Sequence, residues 1–327
     1  MTDVTPRSET VSPASIEEAA TALAPYLRPT PLEYSRAFTA KTGCHVHMKI
    51  EGAQPIRAFK VRGALNKILS LAAEDRAAGV LTASAGNHGQ GVAYGAHVFN
   101  VPATVYVPDG ANPLKVEAMK RLGARVIHFG RNYNDAYTEA MRFKAETHAT
   151  FIPAFDDADV IAGQGTIAVE ILHDLPYFDT ILVPVGGGGL ISGISIYLKA
   201  RRPKTRVIGV EPAGADSLYR SLRAGHPVKL QSVRTIADGL AASAPGELPF
   251  EIASRCVDEV ILVEESEMLR AIKLYFEWEH LLAEPAGAAA LAALLYHYRP
   301  VPNEVVVVVL SGANVTDDLL IRALRER

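Results

Sequence analysis

Short runs of apolar, β-branched residues alternate along this chain with longer stretches whose apolar positions recur at helical spacing. The short runs predict strands, and the longer stretches predict helices. The predicted strands occupy residues 44–51, 79–84, 103–108, 124–129, 179–185, 206–212, 258–265 and 304–310. Regular alternation of this kind predicts an α/β fold in which helices cross over between the strands of parallel sheets.

The ends of the chain and its most apolar run add detail to this picture. Ser15 and Glu18 have the spacing of a capping box, which predicts a helix over residues 16–27. Residues 1–14 are rich in Ser, Thr and Pro and lack the apolar segment of a secretory signal, so we expect a mobile tail. The run VVVVVL at 305–310 is far too short to span a bilayer and predicts a strand buried on both faces.

Composition narrows the class of protein. The 327 residues are 49% hydrophobic and 21% charged, which is enough for a large core in about two domains. A net charge of -3 with mixed signs argues against nucleic acid or an anionic membrane as the main partner. Two cysteines, Cys44 and Cys256, form no disulfide framework, so we expect a reducing, cytoplasmic compartment.

The strongest local signal for chemistry is PVGGGGLISG, where four glycines, Gly186 to Gly189, separate a strand from a helix. Bare backbone N–H groups and the positive end of the following helix favour binding of a phosphate. The motif is neither a dinucleotide fingerprint nor a Walker loop, so a small phosphorylated cofactor is the expected ligand. The alternative interpretation is a tight turn, although a turn needs fewer glycines.

A second strand-to-helix junction, TASAGNHGQG at 82–91, carries Ser84, Asn87 and His88. Unpaired N–H groups at the start of a helix would bind a carboxylate there. Ordinary helix capping is the alternative.

Polar residues also follow or precede other predicted elements. Ser311 and Asn314 lie at the carboxyl end of the all-valine strand, where ligands gather in parallel α/β sheets. Glu284 precedes an alanine-rich helix and is a candidate helix cap or site residue. Each of these three residues is therefore placed where a ligand would be within reach.

One strand carries two histidines at alternate positions. His45, His47 and Lys49 share a strand face, and two histidines at this spacing can hold a metal. No Cys, Asp or Glu ligand set accompanies them, so we interpret the face as solvated.

Lys60 is the residue whose role the local pattern leaves open. It lies beside the apolar stripe Val61, Ala64, Leu65 and Ile68 of a predicted helix. Most such lysines extend their ammonium group into water. The alternative is a desolvated amine that forms a Schiff base with a carbonyl.

Six motifs in order resemble the pyridoxal-phosphate enzymes of the tryptophan-synthase β-like fold, also called fold type II. Within that fold the chain resembles the threonine/serine dehydratase and serine racemase group, from about Pro31 to its end. The motifs are QPIRAFKVRGALN, SAGNHGQG, PVGGGGL, TIADGLA, EPAGA and LSGAN. The resemblance implies a homodimer of two-domain subunits, with a large cofactor-binding domain (15–52 and 153–327) and a small domain (53–152).

The resemblance also implies a role for individual residues. Lys60 matches the lysine that forms a Schiff base with pyridoxal phosphate, and Phe59 matches the residue packed on the cofactor ring. Asn87 matches the partner of the cofactor 3-hydroxyl, and Ser311 the partner of its pyridine nitrogen. The remaining matches are the phosphate loop Gly186, Gly187, Gly188, Gly189 and Leu190, the cofactor-lining Gly239, and the substrate-binding segment Ser84, Ala85, Gly86, Asn87 and His88.

The function implied is dehydration of L-threonine or L-serine to a 2-oxo acid and ammonia. A serine at the pyridine nitrogen makes the ring a weaker electron sink, which favours loss of the β-hydroxyl over transamination. A racemase is one alternative. Serine racemases use a second acid/base besides the lysine, and the matching position in this chain holds Ala85. A binder of a phosphorylated ligand that has lost catalysis is another.

Two departures from the family pattern affect substrate and metal. The usual Thr-Gly-Ser-Phe-Lys is Ile-Arg-Ala-Phe-Lys here, and Arg57, one helical turn before Lys60 if the helix has begun, could pair with a second carboxylate, as in 3-hydroxyaspartate. It could equally brace the loop or face solvent, so threonine or serine is the first choice. Glu211 and Ala215 match a cation site of some members, but Ser217 replaces an acid there, so we predict no metal.

Overall fold

A computed structural model describes residues 10–326, which fold into fourteen α-helices and ten strands. The strands are β1 (Leu32–Ser35), β2 (His45–Ile50), β3 (Val80–Ala83), β4 (Ala103–Val107), β5 (Arg125–His128), β6 (Thr150–Phe151), β7 (Thr180–Pro184), β8 (Arg206–Pro212), β9 (Glu259–Val263) and β10 (Val305–Leu310). The helices are α1 (Pro13–Leu23), α2 (Arg36–Thr42), α3 (Lys60–Ser70), α4 (Ala73–Ala78), α5 (Asn87–Phe99), α6 (Pro113–Arg121), α7 (Tyr133–Glu146), α8 (Ala158–Asp174), α9 (Gly189–Arg201), α10 (Ser217–Ala224), α11 (Glu247–Cys256), α12 (Glu265–Glu279), α13 (Pro285–Tyr296) and α14 (Asp317–Arg325). None of these helices combines the length and apolar character needed to cross a membrane.

The strands form two sheets. The larger sheet has the order β1-β2-β10-β7-β8-β9, and the smaller has the order β5-β4-β3-β6. All neighbouring strands are parallel except β1 and β2, which are antiparallel at one edge of the larger sheet. The α/β fold predicted from the alternating pattern is therefore confirmed. The predicted domain boundaries at 52/53 and 152/153 stay a prediction.

Strand β10 shows why the valine run is buried. Val306, Val308 and Leu310 pack into the core between the larger sheet and α12 and α13. Val307 and Val309 point the opposite way, into the core that α8 and α9 cover. Because successive side chains alternate between faces, a strand covered on both sides must be apolar at every position.

The first helix begins earlier than predicted. The N-cap is Ser12, not Ser15: the Ser12 hydroxyl accepts a hydrogen bond from the Ser15 N–H, and the Ser15 hydroxyl accepts one from the Ser12 N–H. Pro13 occupies the first turn, where its missing N–H costs nothing. The capping-box prediction was therefore wrong by one turn. The helix also includes residues 13 and 14 of the predicted tail. Residues 1–9 of that tail lie outside the described part of the chain.

Candidate active site

Lys60 begins helix α3, and its side chain is partly buried. The apolar stripe Val61, Ala64, Leu65 and Ile68 is fully buried, which fixes the rotation of the helix. The Lys60 Nζ donates a hydrogen bond to the Ala154 carbonyl at 2.8 Å and lies 5.1 Å from the centre of the Phe59 ring. Burial lowers the pKa of the Lys60 amine to about 8. The geometry therefore favours the desolvated amine over the solvated boundary lysine.

The tetraglycine loop follows β7 and leads into α9. The backbone N–H groups of residues 186–190 have no hydrogen-bond acceptor within the described residues 10–326. A Cβ on Gly187 would lie 2.3 Å from the Phe155 ring, and Gly188 has a φ of 94° with Pro249 only 2.8 Å from an added Cβ. Tight packing on one side thus requires glycine, while the open N–H groups form an anion site of the kind that phosphates occupy.

The start of α5 presents a second set of open N–H groups. The Gly86 N–H is bound by the Ser84 hydroxyl at 3.2 Å, whereas those of Ala85, Asn87 and His88 have no acceptor in residues 10–326. Burial, and then the charge of Lys60, lowers the pKa of the His88 imidazole to about 3. His88 is therefore neutral: its Nε2–H donates to the Ile152 carbonyl at 2.9 Å, and its Nδ1 has no partner in the part of the chain that the structure describes.

Asn87 is held from two sides. Its Nδ2 donates to Glu284 Oε1 at 2.6 Å, and its Oδ1 accepts from Asn314 Nδ2 at 2.8 Å. Burial, helped by the charge of Asp238, raises the pKa of the Glu284 carboxyl to about 7, and its Oε2 has no hydrogen-bond partner among residues 10–326. The three residues come from distant parts of the chain, so this arrangement fixes the amide orientation only once the sheets have assembled.

The remaining predicted cofactor residues lie beside this group. Ser311 is buried; its carbonyl accepts from the Phe59 N–H at 3.0 Å, and its hydroxyl lies 3.4 Å from the Ala286 carbonyl. The Gly239 carbonyl lies 3.0 Å from the Cβ position of Gly186, and a Cβ on Gly239 would lie 3.1 Å from that of Ala286. Short contacts thus connect Lys60, the glycine loop, Gly239 and Ser311.

Ala154 and Phe155 were missed by the sequence analysis. They follow β6, and they connect the Lys60 amine to the glycine loop through the two contacts described above. The rule that ligands gather at the carboxyl ends of parallel strands could have found them. The two-residue length of β6 concealed this strand end.

The Lys60 helix is anchored by a buried charged cluster made of Lys49, Glu51, Arg62 and Glu170. The Arg62 guanidinium contacts both carboxylates of the cluster, at 2.6 to 2.9 Å, and Lys49 Nζ lies 2.6 Å from Glu170 Oε2. Lys49 and Glu51 are fully buried. The prediction of a solvated face for β2 was therefore wrong at Lys49, because α8 covers that end of the strand and supplies the opposite charge.

Arg57 does not lie on the Lys60 helix. Helix α3 begins at Lys60, and Arg57 occupies the preceding loop in a left-handed conformation, with a φ of 59° and an exposed side chain. The helical-turn relation considered for these two residues was therefore wrong.

Of the two weak metal candidates, the Glu211 carboxylate is engaged otherwise. Both carboxylate oxygens of Glu211 accept backbone N–H groups at the start of α10, from Leu218 and Tyr219. Burial raises the pKa of the Glu211 carboxyl to about 8. The Ala215 N–H is bound by the Pro212 carbonyl. Across residues 10–326 no three His, Cys, Asp or Glu side chains are grouped so as to hold a metal ion, His45 and His47 included.

An ion pair joins the two sheets near the site. Lys115 on α6, beside the smaller sheet, contacts Asp238 at 2.6 Å, in the 3-10 turn that also contains Gly239. After burial, the charge of Asp238 raises the pKa of the Glu284 carboxyl and that of Lys115 lowers it. Nothing local in the sequence indicates this contact, because the two residues are far apart along the chain.

Comparison with known proteins agrees with this geometry. The profile of the family described as "Pyridoxal-phosphate dependent enzyme" matches residues 23–312. The L-threonine ammonia-lyase of Thermotoga maritima is 42% identical over 95% of this chain and 77% of its own length. That of Geobacter sulfurreducens is 46% identical over 92% of this chain and 75% of its own. The structure of maize serine racemase superimposes with a TM-score of 0.92, at 36% identity, over 96% of this chain and 97% of the racemase.

The residues present fit the cofactor of that family. Open N–H groups are available for a phosphate, a partly buried amine of lowered pKa is available for a carbonyl, and the Phe59 ring is adjacent to that amine. The family match covers most of the chain, and the relatives are well above 30% identity. The chain belongs to the family of pyridoxal-phosphate dependent enzymes.

Proposed function

We propose that this enzyme is an ammonia-lyase that dehydrates L-threonine or L-serine to a 2-oxo acid and ammonia. The observation that carries the proposal is the Lys60 amine, which is partly buried, has a lowered pKa and is bound to the Ala154 carbonyl. Around it lie two sets of open N–H groups, one suited to a phosphate and one to a carboxylate. The relatives named above are L-threonine ammonia-lyases, which supports this choice of reaction.

In this proposal the cofactor is held by the residues of the glycine loop and its neighbours. The N–H groups of residues 186–190 bind its phosphate, Phe59 packs on its ring, Asn87 contacts its 3-hydroxyl, and Ser311 contacts its pyridine nitrogen. Gly239 lines the same space. When bound, pyridoxal phosphate withdraws electrons from the substrate Cα and so makes its proton acidic.

Lys60 serves as the base. An amine with a pKa near 8 is deprotonated in a useful fraction at neutral pH, whereas an ordinary lysine is almost entirely protonated. The Ala154 carbonyl orients the Nζ, and the buried stripe of α3 holds the lysine backbone in place. Lys60 can therefore take the Cα proton and hold it while the β-hydroxyl leaves.

The substrate carboxylate is placed at the start of α5. The segment Ser84 to His88 offers the open N–H groups of Ala85, Asn87 and His88 together with the Ser84 hydroxyl. A carboxylate at a helix N-terminus is stabilised by these donors and by the helix dipole.

Elimination is favoured over racemisation because a racemase needs a second proton donor on the face opposite its lysine. Ala85 occupies the matching position, and a methyl group exchanges no proton. The neighbouring Ser84 hydroxyl accepts the Gly86 N–H at 3.2 Å, and in this proposal its own proton is donated to the substrate carboxylate. The proton taken by Lys60 therefore returns, if at all, to the face it left.

The proposal includes the cellular compartment, the kind of substrate and the oligomeric state. Cys44 and Cys256 are both free thiols, which supports a reducing, cytoplasmic compartment. A homodimer and a small amino-acid substrate are what the family resemblance implies. Gel filtration with light scattering would test the oligomeric state.

The test of function is a panel of β-hydroxy amino acids assayed for release of 2-oxo acid, with pyridoxal phosphate added. We expect release from L-threonine or L-serine with the wild-type enzyme and none with Lys60→Ala. Lys204→Ala, which removes an exposed lysine in a turn, is the matched control and should match wild type. A folded wild-type protein that binds pyridoxal phosphate and releases no 2-oxo acid would show a ligand binder without this activity.

A further inference from the structure

A cavity of about 490 Å³ lies at the carboxyl ends of β8 and β9. These strands are neighbours in the larger sheet, and their last residues, Pro212 and Val263, are paired. The cavity wall is formed by the loop after β8, the segment 234–236, the start of α12 and one residue of α14. Ligands bind at the carboxyl ends of parallel strands in open α/β sheets, and a cavity of this volume is typical of small-molecule sites.

The cavity is separate from the active site. The glycine loop and the start of α5 do not line it, whereas Thr235 and Ile236 do. The segment of these two residues continues into the 3-10 turn Asp238–Leu240. That turn contains Gly239, whose carbonyl lies beside Gly186 of the glycine loop. A ligand in the cavity would therefore contact the segment that leads to the active site without entering the active site itself.

Two arginines line the cavity, and the fold gives neither guanidinium a partner. Arg234 and Arg322 are exposed, and within residues 10–326 neither side chain makes an ion pair or a hydrogen bond. They come from elements that are far apart along the chain, the segment before the 3-10 turn and helix α14. Helix α14 packs on α12, whose start forms another part of the wall. Packing of these elements thus brings two permanently charged, planar groups to one cavity.

The acidic residues of the same cavity have structural roles. Glu265 Oε2 accepts the Ile236 N–H at 2.8 Å, so it ties the start of α12 to the segment 234–236. Glu264 is the N-cap of α12, where the helix dipole stabilises a negative charge. In the described chain neither carboxylate forms an ion pair with either arginine of the cavity. The two acids are therefore accounted for by the fold, and the two arginines are not.

Other donors on the wall suit an oxyanion. The N–H groups of Gly214 and Thr235 have no acceptor within residues 10–326. The Thr235 hydroxyl accepts the Ala237 N–H at 3.0 Å, and its own proton has no acceptor in that part of the chain. The Arg234 backbone is held in place, because its N–H donates to the Gly214 carbonyl at 2.9 Å. Guanidinium, hydroxyl and backbone N–H groups are the donors that proteins use to bind phosphates and carboxylates.

We propose that this cavity binds a small organic anion, through a phosphate or carboxylate group held between Arg234 and Arg322. A guanidinium binds either group through two parallel N–H donors, and two guanidinium groups from different elements approach it from two sides. The site lies outside the residues assigned to the reaction, so the inference goes beyond the proposed function and does not depend on it.

Isothermal titration calorimetry tests the site, with inorganic phosphate and succinate as separate probes. The protein is first saturated with pyridoxal phosphate, so that the glycine loop is occupied. We expect at least one probe to bind, and Arg234→Gln and Arg322→Gln each to weaken its binding by about tenfold or more, because each loses a charge-assisted contact. The probe that binds identifies the anionic group that the site prefers. The matched control is Arg325→Gln, which removes an exposed arginine of the same helix that does not line the cavity and should bind like wild type.

Thermal unfolding gives a second readout. Without a probe, the Tm of Arg234→Gln and of Arg322→Gln should equal that of wild type, because the side chains they remove have no partner in the described chain. The bound probe should raise the Tm of wild type and leave that of the double variant unchanged.

Three results would overturn the proposal. Failure of both probes to bind wild type would show that the arginines are simply solvated. Equal binding by wild type and both cavity variants would show that the probe binds elsewhere. A lower Tm in either cavity variant without a probe would show that its arginine supports the fold.

Discussion

The charged cluster of Lys49, Glu51, Arg62 and Glu170 predicts a large loss of stability when one member is removed. We consider Arg62→Met, which has similar length and no charge. The cluster holds two positive and two negative groups, and Arg62 is 2% exposed while Glu51 is fully buried. Without Arg62 the cluster carries a net negative charge, and Glu51 keeps only the Thr30 hydroxyl at 2.6 Å.

The size of the effect follows from this burial. Removing one partner of a buried ion pair costs about 3–5 kcal/mol, because the other charge stays desolvated. That is a large part of a total stability of about 5–15 kcal/mol. We therefore expect Arg62→Met to lower the free energy of unfolding by about 3–5 kcal/mol. The loss should be nearly the same at low and high salt, since buried charges are poorly screened.

Urea unfolding measures the loss, with Lys120→Met as the matched control. Lys120 pairs with Glu117 at 3.0 Å, but these side chains are 47% and 57% exposed, so the control should lose about 0–1 kcal/mol. In the double variant Arg62→Met with Glu51→Met, Lys49 and Glu170 remain balanced, so it should be no less stable than Arg62→Met alone. A single-variant loss below about 1 kcal/mol, or simple addition in the double variant, would refute the reasoning.

Three further predictions concern the site. Because the pKa of Lys60 is lowered to about 8, covalent capture of pyridoxal phosphate by the apoprotein should rise with a midpoint near pH 8 and level off above it. Absorbance spectra would follow the capture, and a midpoint near that of an ordinary lysine would contradict the lowered pKa. Ala85→Ser should increase D-serine formation from L-serine by supplying a second proton donor, as chiral chromatography would detect; an unchanged D-serine yield would contradict the role given to this position. Lys115→Met and Asp238→Asn should each lower kcat/KM for the proposed substrate, L-threonine or L-serine, by about threefold to tenfold, because each breaks the same ion pair. The double variant should lose little more than either single variant, and additive losses would show that the pair does not act as a unit.

Much of the fold and part of the site are encoded locally. The alternation of strand and helix patterns depends on backbone periodicity, and the valine run is explained by burial on both faces. The four glycines indicate an anion site because backbone N–H groups are exposed wherever side chains are absent. The motif around Lys60 led to the family through resemblance, and the family match confirms that assignment.

Other features depend on residues that meet only in the folded chain. Lys49 is buried because Glu170, which lies 121 positions away, supplies its counter-charge. The Asn87 amide is oriented by Glu284 and Asn314, which are more distant still.

The left-handed conformation of Arg57 was equally hidden, because its N–H donates to the Gln54 carbonyl and its carbonyl accepts from the N–H of the distant Ala313. Local pattern reports which face of an element is apolar. Whether a polar group on that element is solvated, paired or desolvated depends on what packs over it. For Lys60 this difference sets the pKa of the amine and hence its capacity to act as a base.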